Sequence, residues 1–152
     1  MIVLEPIAYV RNQRRHLNDD FWGDTVSTIE LIESLDGSCF DGLETFSHVE
    51  VIFYFDQVDE TKIMRGARHP RNNPNFPQVG IFAQRAKNRP NRLGLTIAKI
   101  VRRDGRQLIV QQLDAIDGTP ILDIKPVMRE FLPHDEIKQP AWSSELMQDY
   151  WK

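Results

Sequence analysis

One cysteine, Cys39, stands among 152 residues, so no internal disulfide can form and no cysteine pair offers a zinc pattern. It reads as a buried or bystander thiol. The four histidines, His16, His48, His69 and His134, are scattered along the chain, and no metal is expected. No stretch approaches the roughly 20 apolar residues of a membrane span. The opening Met1-Ile2-Val3-Leu4-Glu5-Pro6 has neither the basic region nor the apolar length of a signal peptide, and the expectation is a cytoplasmic protein. Absent too are Gly-x-Gly-x-x-Gly, Gly-x-x-x-x-Gly-Lys-Ser/Thr, His-Glu-x-x-His and Gly-x-Ser-x-Gly, which removes the motif-level case for a dinucleotide fold, a P-loop, a zinc peptidase or a serine hydrolase. The most telling absence is local. Residues 61 to 103 contain no Asp or Glu, although the whole chain carries a net charge of −3.

That acid-free block holds 11 of the 19 basic residues: Lys62, Arg65, Arg68, Arg71, Arg85, Lys87, Arg89, Arg92, Lys99, Arg102 and Arg103. One sign of charge gathered on a mildly acidic protein suits a phosphate-bearing partner, because lysine and arginine release counterions when they neutralise a polyanion. A solvated, merely basic face is the alternative. The apolar fraction of 41% and charged fraction of 27% belong to a globular chain, and the length suits one domain spanning residues 1–152.

Seven β-rich runs recur at short intervals, over 4–11, 26–33, 48–55, 79–84, 94–102, 107–113 and 119–125. With so few helical stretches they predict an all-β fold, a small antiparallel barrel of about seven strands. Asp104-Gly105 is a hairpin signal that sets the fifth and sixth runs antiparallel, since a type I′ turn needs positive φ and Gly accepts it. Short helices are expected near 42–46 and, capped by Ser143, over 143–150 at the C-terminal end. Neither is expected to carry chemistry. Between them lies an irregular stretch, 65–78, with Pro70, Pro74 and Pro77 fixing φ and removing backbone donors, a long loop of the kind that is usually functional.

The run 79–84 feeds a turn crowded with Arg85, Lys87, Arg89, Pro90, Asn91, Arg92 and Gly94. Side chains at a rigid strand end are held accurately, and guanidinium groups present paired donors to a carboxylate or phosphate. Arginines that merely clamp backbone carbonyls at a sheet edge are the structural alternative.

Four stretches carry a resemblance: Gly42-Leu43-Glu44-Thr45-Phe46-Ser47-His48, Val79-Gly80-Ile81-Phe82-Ala83-Gln84-Arg85, Arg89-Pro90-Asn91-Arg92-Leu93-Gly94, and Asp117-Gly118-Thr119-Pro120-Ile121-Leu122-Asp123-Ile124-Lys125-Pro126. In order and spacing they resemble the TsaA-like (TrmO-like) domain family. The resemblance implies a small antiparallel barrel, a homodimer, S-adenosylmethionine as methyl donor, and methylation of threonylcarbamoyladenosine in tRNA. By position, it implies cofactor contacts at Phe55, Asp56, Arg85, Leu95, Gln111, Gln112, Leu113 and Asp114. An aromatic face such as Phe55 or Tyr54 and an acid such as Asp114 would hold a sulfonium, and Arg85 would take a carboxylate. Asp117, Asp123 and Arg89 are the candidate catalytic residues, with His48 a further candidate base. Arg68, Arg71, Lys87, Arg89 and Arg92 are the candidates for nucleic-acid contact. Asp117 within a turn, Asp123 within an alternating strand and His48 before one also read as structural.

Three positions differ from the family's pattern. The loop after the first run reads Asn18-Asp19-Asp20-Phe21-Trp22-Gly23 where tRNA-modifying members tend to have Pro-Arg-Gln. Phe55-Asp56 replaces an aromatic-histidine pair, and Asn91-Arg92 replaces Asn-Pro. Trp22 could stack a base, close a lid, or belong to a core or dimer contact. Two other functions stay open: a methyltransferase acting on a small metabolite, and a non-enzymatic RNA-binding barrel.

Overall fold

A computed structural model describes all of residues 1–152. Six antiparallel strands close into a barrel: β1 (Ala8–Arg11), β2 (Val26–Leu31), β3 (His48–Tyr54), β6 (Leu93–Asp104), β7 (Gln107–Gln111) and β8 (Pro120–Pro126). Around the barrel the order is β1-β2-β7-β6-β3-β8, and pairing of β8 with β1 completes the circle. Two further strands, β4 (Ala67–Arg68) and β5 (Val79–Gly80), form a separate two-stranded ribbon. The all-β barrel with one short C-terminal helix, α1 (Ala141–Leu146), matches the sequence expectation, with six barrel strands instead of about seven.

Period-two alternation builds the interior. Along β3, Val49, Val51 and Phe53 point inward and are buried, while His48, Glu50, Ile52 and Tyr54 alternate with them. Along β6 the inward residues are small, Gly94, Thr96 and Ala98, and they face the bulky side chains of β3 in register, Phe53 opposite Gly94 and Val51 opposite Thr96. A Cβ on Gly94 would lie 2.5 Å from two atoms of the Phe53 ring, so this glycine makes room for the ring. Ala8, Val10, Ile29, Leu108, Val110 and Ile121 belong to the same 14-residue core, with Leu31, Phe40, Leu113 and Ala115. Burial of each large apolar side chain stabilises the fold by about 1.5–3 kcal/mol.

The hairpin between β6 and β7 closes through Gly105 and Arg106, since Asp104 pairs with Gln107. Only Gly105 takes a positive φ, 58°, so the turn follows the II′ pattern of glycine at the first central position rather than I′. The run 79–84 is not a full strand. After Gly80 the chain winds into a 3-10 turn at Ile81–Ala83, where Ile81 N–H donates to Gly66 O at 2.9 Å and the buried Gln84 side chain donates to Arg68 O and Val79 O, both at 3.1 Å. The first strand starts at Ala8 rather than Leu4, beyond Pro6, which has no N–H to offer a ladder. The expected helix at 42–46 is a 3-10 turn, Leu43–Thr45. At the C-terminal end the helix begins two residues early, behind Pro140, and Ser143 Oγ donates to Pro140 O at 2.7 Å instead of capping from outside. Cys39 is exposed. No helix is long and apolar enough to cross a membrane.

Candidate functional site

One end of the barrel opens into a cleft of about 500 Å³, within the range of pockets that hold small organic ligands. The sequence folds several separated segments onto it. Phe53 and the residues just past β3, Phe55 and Asp56, form one wall, with the two phenyl rings edge to face at 5.2 Å. Gly94, Leu95, Thr96 and Ile97 at the start of β6 form the next, and Gln84 to Lys87 after the 3-10 turn project over them. Beyond β7 the chain turns at Gln112, whose φ is +67°, and the buried Leu113 and Ala115 pin the intervening Asp114 toward the cleft. The remaining walls are the loop holding Asp19 and Trp22 and the C-terminal segment holding Leu146, Met147, Tyr150 and Trp151.

Four acids, Asp19, Glu50, Asp56 and Asp114, and three cations, Arg71, Arg85 and Lys87, line the cleft beside several aromatic rings. Both oxygens of Asp114 accept from hydroxyls: Thr96 donates to one and Tyr150 to the other. Burial, followed by the charge and hydrogen bond of Asp114, pushes the Tyr150 phenol well above its usual range, while Arg85 opposes the shift. Arg85 itself donates to Leu95 O. Trp22 is buried, with the Arg14 guanidinium 3.7 Å above its ring, and Arg14 also holds Phe21 O at 2.8 Å. Arg71 ties the long 65–78 loop to this one through paired bonds to Asp20 at 2.9 and 3.2 Å. Gln84 Oε1 is buried with no partner. Such a chamber suits a ligand with a flat ring, a positive charge, an amine and a carboxylate.

The family model of the tRNA-methyltransferase O N-terminal domain matches residues 17–131. The chain belongs to that family. It is 37% identical to a tRNA (adenine(37)-N6)-methyltransferase of Escherichia coli over 68% of this chain and 43% of that protein. With the human tRNA (adenine(37)-N6)-methyltransferase the identity is 36%, over 65% of this chain and 22% of the relative. A Pyrococcus abyssi protein named "Probable S-adenosyl-L-methionine-binding protein" is 31% identical over 76% of this chain and 59% of its own. The chain therefore spans less than two thirds of the length of each of these relatives. Among solved structures, one of TrmO from Pseudomonas aeruginosa superposes with a TM-score of 0.74 at 24% identity, covering 93% of this chain and 62% of the other. A second, also from Pseudomonas aeruginosa, gives 0.69 at 26% identity, over 90% of this chain and 61% of the other.

Five of the eight residues expected at a family cofactor site, Phe55, Asp56, Arg85, Leu95 and Asp114, line the cleft. The other three lie behind it. Gln111 donates to Gly23 O at 3.3 Å, Gln112 makes the turn, and Leu113 is core. Asp117 does not line the cleft; it lies in the turn between Ile116 and Thr119, which do, and its Oδ1 accepts Asn12 N–H at 3.1 Å. Asp123 pairs with Lys125 at 3.2 Å on the outside of β8, and His48 faces Ser47 at 2.6 Å on β3. Arg89 donates to Gln84 O at 2.7 Å and Ala86 O at 3.3 Å. Arg92 stacks 4.8 Å above the Tyr54 ring and pairs with Glu60 at 3.6 Å. Arg71 and Lys87 face the cleft, whereas Arg68 is half-buried with Nε unpartnered. Thr96 and Tyr150 were not visible in sequence as site residues, because each meets Asp114 across 18 and 36 positions. The spacing of Trp142, Leu146 and Tyr150 by four was the available signal for the tail.

Proposed function

We propose that the chain is an S-adenosylmethionine-dependent methyltransferase that modifies adenosine in tRNA, at the N6 nitrogen of threonylcarbamoyladenosine beside the anticodon. The observation that supports this reading is the chemistry of the cleft in a chain of this family. Phe55 and Trp22 offer aromatic faces, Asp114 and Asp56 offer negative charge to a sulfonium, Arg85 offers a forked donor to an amino-acid carboxylate, and the orphaned Gln84 Oε1 offers an acceptor to an exocyclic amine. When bound, the cofactor supplies a methyl group on a positively charged sulfur. The protein's part is to hold the acceptor nitrogen in line with that methyl and to exclude water. None of the three candidate catalytic residues lines the cleft. In this proposal Asp117, in the turn between the lining residues Ile116 and Thr119, takes the acceptor's proton through water, while Asp123 and Arg89 hold partners within the chain.

The partners follow from the surface. Arg71 and Lys87 line the cleft, and together with Arg68, Arg89 and Arg92, which lie outside its lining, they would meet tRNA phosphates. A second copy would cover the outward face of β6, where Leu93, Leu95, Ile97 and Val101 are each 37–47% exposed. A small-metabolite acceptor is the second reading, supported by the intramolecular partners that Arg71, Arg89 and Arg92 already hold.

Transfer of labelled methyl to bulk tRNA from a strain lacking the gene, set beside transfer to a metabolite extract, decides between them. Label in tRNA is the expected result, and label only in small molecules selects the second. Absence of heat with millimolar S-adenosylmethionine would leave a non-enzymatic RNA-binding barrel. Arg85→Ala is expected to weaken S-adenosylhomocysteine binding by more than about 1.5 kcal/mol in calorimetry. Unchanged affinity would leave Arg85 as a clamp on Leu95 O.

A further inference from the structure

The segment Phe21-Trp22-Gly23 has a partner within the chain. Phe21 N–H donates to Asp149 O at 3.1 Å and Trp22 N–H to Tyr150 O at 2.7 Å, so the loop docks on the carbonyls of the turns that follow α1. The next residue allows the approach. A Cβ on Gly23 would sit 1.9 Å from Trp151 O and 2.8 Å from its carbonyl carbon, closer than any side chain permits. Docked in this way, the tail turns Leu146, Met147, Tyr150 and Trp151 toward the cleft, and Tyr150 donates to Asp114. Room for a ligand of about 500 Å³ remains with the tail in place, so these residues form a wall of the chamber and do not plug it.

We infer that residues 146–151 are a strap that completes the ligand chamber, and that Tyr150 is a positioning residue holding the Asp114 carboxylate toward the cation of a bound S-adenosyl compound. This rests on the cofactor reading proposed above. An aspartate side chain in an open cleft would rotate freely. Pinned by Thr96 on one oxygen and Tyr150 on the other, it keeps one orientation and still has lone pairs for a ligand. Leu146, Met147 and the Trp151 ring add apolar lining that helps to exclude water from the cleft.

Gly23→Ala tests the strap selectively. The glycine lies outside the left-handed region, so alanine suits its backbone, and the added methyl meets only the tail's own carbonyl. Hydrogen exchange at Phe21 and Trp22 reports docking, and calorimetry with S-adenosylhomocysteine reports the chamber. Gly23→Ala is expected to lose protection at those two amides and to bind the ligand roughly tenfold or more weakly. Tyr150→Phe is expected to keep the protection and still lose about fivefold in affinity, the size of one ordinary net hydrogen bond. Unchanged affinity in Gly23→Ala with protection lost overturns the inference, and so does tighter binding, which would make the tail an inhibitor. Protection retained in Gly23→Ala overturns the docking itself. No binding by the wild-type protein or either variant defeats the cofactor reading, whereas wild-type binding that survives undocking defeats the strap alone.

Discussion

Gly94 sits where the barrel interior meets the cleft, and its missing side chain is filled by the Phe53 ring. Alanine there would drive a methyl to 2.5 Å from the ring, in a wall backed on its far side by close-packed core. Overpacking of this kind destabilises by about 1–3 kcal/mol. Gly94→Ala is therefore expected to lower the urea midpoint without changing the slope, and to disturb the seat of Phe55, whose ring packs edge to face on Phe53. At this scale much was legible in the sequence and some was not. Phe55, Asp56 and Leu95 reach the cleft because they follow β3 or open β6, strands that alternation already places, whereas Arg85 follows a 3-10 turn and is tied to a cofactor only by the family resemblance. Asp114 needed more, since its position depends on the left-handed turn at Gln112, a residue with no glycine or asparagine to announce it. Its two hydroxyl partners were beyond local pattern altogether.

The elements divide the same way. Strands whose inner faces are continuous with the core, β2, β3, β6, β7 and β8, appear within a few residues of where alternation predicts them. The run 79–84 read as a strand because Val79, Ile81 and Phe82 are apolar. Yet Phe82 is 81% exposed and Ile81 is buried by a 3-10 turn, so only Val79 and Gly80 join a ladder, the short one with β4. The tail was the larger omission, for it is a short helix with an unremarkable cap whose role comes from what it docks on. Its pH behaviour follows from Tyr150. The phenol is raised above its ordinary value near 10.0 by burial first, then by the Asp114 charge and hydrogen bond, with Asp19 adding and Arg85 opposing. A group whose folded value is raised gives its full stabilisation below the unfolded value and loses it as pH climbs beyond. Between pH of about 10 and 11, urea-unfolding stability is expected to fall more steeply in the wild-type protein than in Tyr150→Phe. Parallel curves would remove Tyr150 from the linkage.

Over the whole molecule, closure leaves the barrel itself no free strand edge, so a second copy that packs on the barrel meets it face to face. The outward stripe of β6 is an apolar face on the barrel wall, and two of its residues, Leu95 and Ile97, also line the cleft. Scattering measurements on the purified protein are expected to give a dimer, with Ile97→Lys shifting it to monomer while the fold is kept. Charge sets the other association. Arg71, Arg85, Arg89, Arg92 and Arg103 spend their guanidinium groups within the chain, on acids or on carbonyls, so the 11 basic residues of the acid-free block do not count equally toward a polyanion. Each phosphate neutralised adds about 0.7–0.9 to the slope of log affinity against log salt. Replacing Lys87, which faces the cleft mouth, by glutamine is then expected to reduce that slope for tRNA by about one and to leave urea stability unchanged. Arg71→Gln is expected to lower stability as well, because it unties Asp20 from the long loop. A slope unmoved by the Lys87 change, or a flat salt dependence in the wild-type protein, would take the nucleic acid away from this face and leave the basic block as a scaffold for the cleft.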